Sequence, residues 1–155
     1  MQDDTLKGHP MPASQVHSKI RFIIANGEHA RCVERGEHGF VTLHEMNAGD
    51  PYEPTHPKGG VHESASPGRS SAGDVDVHAR RREDFAREVA DHLNAEAAAH
   101  RFGRLALVAP ARMLGALRAD LSGPARALVV REIDKDLTKV ANHDLDAWLR
   151  HPDLA

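Results

Sequence analysis

Apolar and polar positions divide the chain into short strand-like runs, one long helical stretch and a mixed final third. Ser18–Ala25 holds Ile20, Phe22, Ile23 and Ile24 in a nearly continuous run, which predicts a mostly buried strand. Asn26-Gly27 is a tight-turn signal, and Ala30–Arg35 is the returning strand. Gly36–Gly39 turns the chain again. Phe40–Met46 then sets Val41, Leu43 and Glu45 against Phe40, Thr42, His44 and Met46, the alternation of a half-exposed third strand. An antiparallel meander is expected. Residues 48–74 are poor in aliphatics and rich in Pro, Gly, Ser and His, which predicts a long loop. Asp74 or Asp76 is expected to cap a helix reaching about His100. Its stripe of Phe85, Val89, Leu93 and Ala97 recurs every fourth position, with Glu83 and Arg87 paired on the wet side.

Leu105–Ala109 is too apolar for an exposed strand and reads as a central one, buried on both faces. Pro110 suits the first turn of a helix over Ala111–Leu121, and Ser122-Gly123-Pro124 breaks it. A short helical turn at Ala125–Leu128, a strand over Val129–Asp136, and a last helix capped by Asn142 and carrying Leu145, Trp148 and Leu149 complete the pattern. The order β-β-β-α-β-α-β-α predicts an α/β fold, a mixed five-stranded sheet flanked by helices. Residues 18–150 are expected to form one domain, preceded by a disordered extension at 1–17 that holds Pro10 and Pro12 and no apolar period.

Composition narrows the classes. A length of 155 residues with 40% hydrophobic content supports one core, and no apolar run is long enough for a membrane span. The first residues place Asp3 and Asp4 where a secretory signal has basic ones, and Cys32 stands alone, so a reducing cytoplasm is the expected compartment. Cys32 falls within a strand and reads as a small core residue. The net charge of −3 argues against coating nucleic acid by bulk electrostatics, and neither DNA nor a membrane is an expected partner. The 12 histidines would reverse the sign of that charge if fully protonated, but none of them has a metal-ligand spacing.

Three groups of residues carry candidate chemistry. Gly68-Arg69-Ser70 and the run Arg80-Arg81-Arg82 offer glycine for close backbone approach and arginine for phosphate; the plain alternative is a solvated loop and a charged helix face. Arg112, after one inner strand, and Lys135-Asp136-Leu137-Thr138, after the next, would face a common crevice if those strands are parallel neighbours. A small anion would fit there, although an Arg112–Asp136 ion pair with Thr138 capping a turn accounts for the same residues. Glu132, Asp134 and Asp136 alternate along a strand and are weak candidates for Mg²⁺; a charged edge strand explains them equally well. No cofactor motif and no catalytic constellation is readable.

Several motifs resemble the bacterial host attachment protein family: Ile24-Ala25-Asn26-Gly27 with Ala30-Arg31, then Ser66-Pro67-Gly68-Arg69-Ser70, Leu107–Gly115 and Glu132–Thr138. The likeness spans about residues 19–149. The family usually has Ala-Asp-Gly where this chain has Ala25-Asn26-Gly27, and often two prolines where it has Pro110-Ala111. That family resembles the middle domain of archaeo-eukaryotic release factors and Pelota, which implies a ribonuclease-H-like α/β layer. The release-factor loop carries Gly-Gly-Gln. Here the corresponding stretch is Pro67-Gly68-Arg69-Ser70-Ser71, and the pair Gly59-Gly60 is followed by Val61, so peptide release is not expected. The resemblance implies a non-enzymatic, ribosome- or tRNA-associated translation or stress factor. An attachment protein working through protein contacts and a metal-dependent hydrolase stand as alternatives.

Overall fold

The computed structural model describes residues 19–49 and 71–150. The expected extension at 1–17 and most of the expected loop at 48–74 lie outside them. Five strands form one sheet: β1 (Ile20–Ala25), β2 (His29–Gly36), β3 (Gly39–Asn47), β4 (Arg104–Ala109) and β5 (Val129–Asp134). Their order across the sheet is β3-β2-β1-β4-β5. β1, β2 and β3 make the antiparallel meander, while β4 runs parallel to β1 and β5 parallel to β4. The fold is thus α/β with a mixed five-stranded sheet.

β1 lies at the centre and buries all six of its residues. β4 is covered on both faces, as its apolar run requires. Its side chains alternate between two cores. Leu105, Leu107 and Ala109 join Ile23, Cys32, Phe85, Val89, Leu93 and Leu117 beneath the helices. Ala106 and Val108 join Phe22, Ile24, Val33, Phe40, Leu137, Leu145 and Leu149 on the opposite face. The helical layer consists of α1 (Ser71–Ala98), α2 (Ala111–Asp120) and α3 (Gly123–Ala127). The four-residue stripe predicted for α1 is the buried stripe: Phe85, Val89, Leu93 and Ala97 all point at the sheet. The opposite face is closed by the chain after β5, ending in a 3-10 turn (Asn142–Asp144) and α4 (Leu145–Trp148).

Local details differ from the sequence reading. α1 starts at Ser71, ahead of Asp74 and Asp76. Arg87 pairs with Asp84 at 3.3 Å, one turn back, rather than with Glu83. β5 stops at Asp134, because Lys135 N turns back onto Ile133 O at 3.0 Å. Asn142 caps nothing; its side chain donates to Thr42 Oγ1 at 2.7 Å and accepts from Arg31 Nε at 3.1 Å. The alternation expected along β3 breaks at Leu43, where the register with β2 slips between Cys32 and Val33. This bulge sends Thr42 toward Asn142 and His44 toward α1.

Candidate binding edge at the carboxyl ends of the parallel strands

Because β1, β4 and β5 run parallel, their carboxyl ends share one edge of the sheet, and there the chain turns from β1 toward β2 but from β4 toward β5, in opposite directions. Open α/β sheets bind ligands at such an edge. Asn26 organises it. Its Oδ1 accepts from the backbone N–H groups of Glu28 and His29, both at 2.8 Å, and so shapes the turn into β2. Its Nδ2 donates to Asp136 Oδ2 and to Thr138 Oγ1, both at 3.0 Å. Asp136 Oδ1 in turn accepts from Thr138 N at 3.0 Å and from Thr138 Oγ1 at 2.5 Å. Partial burial alone would raise this carboxyl, but the hydrogen bonds from Thr138 and Asn26 outweigh it and hold the group below the usual carboxylate range.

Of the crevice residues singled out in sequence, Asp136 and Thr138 therefore meet each other, with Asn26 as the third member. The Arg112–Asp136 pair weighed there is replaced by these contacts, and the turn is capped by Asp136 rather than by Thr138. Lys135 lies apart, 5.6 Å above the Trp148 ring. Arg31 of β2 braces the same loop, donating to Thr138 O at 2.8 Å and to Val140 O. Burial leaves its guanidinium somewhat below its ordinary value.

Arg112 is exposed in the first turn of α2 and lines a different opening. This cleft of about 520 Å³ lies between α1 and α2 and is walled by Gly27, Ala79, Arg82, Glu83, Pro110, Arg112, Met113 and Ala116. On the other side of α1, a cleft of about 560 Å³ includes Gly27, His29, His78, Arg81 and Arg82, with Glu28, Asp84 and Glu88 on its acidic side. A helix turns 100° per residue, so the run Arg80–Arg82 fans out instead of forming one patch. Arg80 faces solvent and Arg81 faces the second cleft. Arg82 borders both and lies over Gly27. A Cβ at position 27 would come within 2.8 Å of Arg82 Cδ, so this glycine lets the Arg82 side chain lie against the turn. Gly68, Arg69 and Ser70 lie outside the described residues. Gly27, Ala79, Met113 and Ala116 were missed in sequence because only the crossing of α1 and α2 over the sheet edge assembles them. The one available signal was glycine immediately after Asn26, which reads as a turn residue.

The carboxylate trio does not assemble. Glu132 and Asp134 share a face of β5, but Asp136 lies beyond the strand and is held by Asn26. Arg118 of α2 grips Glu132 with a fork, Nε to both carboxylate oxygens at 3.0 and 3.1 Å and Nη2 to Oε1 at 2.9 Å. Among the described residues no three His, Cys, Asp or Glu side chains group to hold a metal ion.

Two further groups sit under α1. Cys32 is fully buried, and burial pushes its thiol up to about 12. Iodoacetamide should therefore label Cys32 only in urea-unfolded protein. Labelling of the native chain at the rate of an exposed thiol would contradict this. His92 stacks on His44 with ring centroids 4.3 Å apart, and its Nε2 is buried without a hydrogen-bond partner among the described residues. Burial, and next the charge of His44, lower it from 6.5; Glu96 opposes them and Arg21 adds to them. A depressed folded value means that the unfolded chain takes up this proton first as pH falls. Stability should thus decline as pH falls through the ordinary imidazole range and below it. The slope of the urea midpoint against pH should flatten in His92→Gln; an unchanged slope would assign the acid lability elsewhere.

A family model described as "Protein required for attachment to host cells" matches residues 22–149. The chain belongs to this family. The match takes in β1 from Phe22 onward, the other four strands, the helices and the Asn26–Asp136–Thr138 cluster. No curated protein matches this host-attachment family member. Among solved structures it resembles the crystal structure of the archaeal translation termination factor aRF1, with a TM-score of 0.53 and 10% sequence identity, over 89% of this chain and 36% of that one. A second structure, of an archaeal protein, gives 0.51 and 10% over the same shares. The likeness establishes a release-factor-like fold, and this chain spans about a third of the length of those proteins. Among the described residues no helix is long and apolar enough to cross a membrane.

Proposed function

We propose that this host-attachment family protein is a non-enzymatic, cytoplasmic binding module that associates with the ribosome or tRNA, under translational stress in particular. The carrying observation is the arginine run at the amino-terminal half of α1, where Arg81 and Arg82 line one cleft beside His29, His78, Glu28, Asp84 and Glu88, and Arg80 projects to solvent. Arginine recognises phosphate through paired donors, and a mixed surface containing Asp84 and Glu88 suits local backbone contact better than general coating of a polyanion. Arg69, with Gly68 and Ser70 shortly before α1, would extend these anchors. The release-factor-like fold supports the reading, and the lack of a glutamine after Gly59-Gly60 or Gly68 keeps peptide release out of it.

The test is sucrose-gradient sedimentation of tagged protein from growing and starved cells at low and moderate salt. Co-migration with ribosomal particles is expected, weakened by salt and lost in Arg80→Glu/Arg81→Glu, a pair chosen because both side chains are exposed. Migration at the top of the gradient in every condition would overturn the proposal. One observation favours the reading through protein contacts instead. Val41 and Leu43 stand about half exposed on β3, an edge strand of the sheet. In that case tagged protein would capture a protein partner that Val41→Lys/Leu43→Lys no longer holds. With Glu132 held by Arg118, no observation favours the hydrolase reading.

A further inference from the structure

We propose that the cleft between α1 and α2 binds a small oxyanion carrying a compact apolar body, of the kind represented by an aryl phosphate. The walls divide the ligand into two parts. Ala79, Pro110, Met113 and Ala116 offer an apolar floor without hydrogen-bonding groups, suited to a ring or a short branched chain. Arg82 from α1 and Arg112 from α2 bring two arginines to the same opening, and Glu83 is the one acidic residue in its lining among the described residues. An apolar ligand alone would leave both guanidiniums unused, and a bare anion would leave the floor uncovered. Only a molecule with both parts satisfies the lining. The volume, about 520 Å³, suits a ligand of this size.

The fold adds to the charge. The first intrahelical bond of α2 runs from Leu114 N to Pro110 O at 2.9 Å, so the amides of residues 111–113 have no acceptor within the helix. Pro110 supplies no side-chain cap, and the first turn carries no acid. These N–H groups and the helix dipole reinforce Arg112 in the same place. Gly27 completes the cleft by letting Arg82 lie against the turn after β1. The cleft thus occupies the sheet edge between the carboxyl ends of β1 and β4, where the chain turns from β1 toward β2 on one side and from β4 toward β5 on the other. Arg82 borders both surfaces, but Arg112, Met113 and Ala116 lie outside the one assigned to RNA, so the variants at 112 and 116 test this inference separately.

The experiment is an amide ¹H–¹⁵N titration of the full chain with phenyl phosphate, inorganic phosphate and benzyl alcohol. Phenyl phosphate should shift the amides of Gly27, Ala79, Met113 and Ala116 saturably, and more tightly than either of the other two. Arg112→Gln should weaken it by about tenfold or more, the loss of one charge-assisted contact. Ala116→Leu should fill the floor and abolish binding while leaving the melting temperature near that of the parent. Equal binding of benzyl alcohol, unchanged affinity in Arg112→Gln, shifts scattered away from the cleft, or no saturation at all would each overturn the proposal.

Discussion

Replacing Arg21 with methionine should cost about 3 kcal/mol or more, as breaking a buried charge cluster does. Arg21 lies within the most buried strand and has only 4% of its surface exposed. Its Nε donates to Glu34 Oε2 and its Nη1 to Glu96 Oε1, both at 3.0 Å, and its guanidinium stands 5.0 Å from the Phe102 ring. Burial by itself would lower this guanidinium, yet the bonds to Glu96 and Glu34 leave it above its ordinary value. Methionine fills the space but strands two carboxylates, and Glu34 keeps Lys19 Nζ at 3.6 Å. Urea unfolding of Arg21→Met measures the loss. The triple variant Arg21→Met/Glu34→Leu/Glu96→Leu removes every member and should recover much of it, because an intact apolar replacement desolvates no charge. A loss under about 1 kcal/mol in the single variant would refute this account. So would a triple variant no more stable than the single one.

Phe22→Ala should destabilise by about 3–5 kcal/mol, a large part of the whole stability of a domain this size. Phe22 is fully buried at the centre of the second core, edge-on to Phe40 with centroids 5.2 Å apart. Its backbone is fixed on both sides, opposite Val33 in β2 and Ala106 in β4, so the sheet has little freedom to collapse into the void. Arg35 lies 4.8 Å from the Phe40 ring and 6.0 Å from that of Phe22, closing the outer side of the pair. Phe22→Leu keeps most of the volume and should cost about 1.5 kcal/mol or less. Similar losses in the two variants would show that the cavity is not the source.

The features legible in the sequence are those that repeat over a few residues. The four-residue stripe of α1, the unbroken apolar run of β4 and the meander all follow from local period, and all are present. Arg21 was available as a lone cation between Ile20 and Phe22, but nothing local says that its partners stand 13 and 75 positions away. The Arg31 bonds to Thr138 and Asn142 span more than 100 positions and are equally silent. The bulge at Leu43 escaped for another reason. It depends on how β2 and β3 pair, while the β3 residues alone alternate without a break. At the candidate site, parallel neighbouring strands were foreseen as the condition for a common edge, and they are neighbours. The partners of each residue on that edge were not readable. Asp136 has hydrogen-bonding neighbours both two positions away and across the sheet, and type alone does not rank them.

The central place of β1 has a consequence for synthesis. β1 leaves the ribosome before the rest of the sheet, and β2 and β3 can zip onto one of its sides at once. Its other side waits until β4, beginning at Arg104, has been made. Phe22 and Ile24 wait longer still, since Leu145 and Leu149 are among the last residues to cover them. The nascent meander therefore offers an open, apolar strand edge for the whole interval between the synthesis of β3 and that of β4. Slow or paused translation between β3 and β4 should prolong that exposure, and holdase chaperones should engage the chain in this interval.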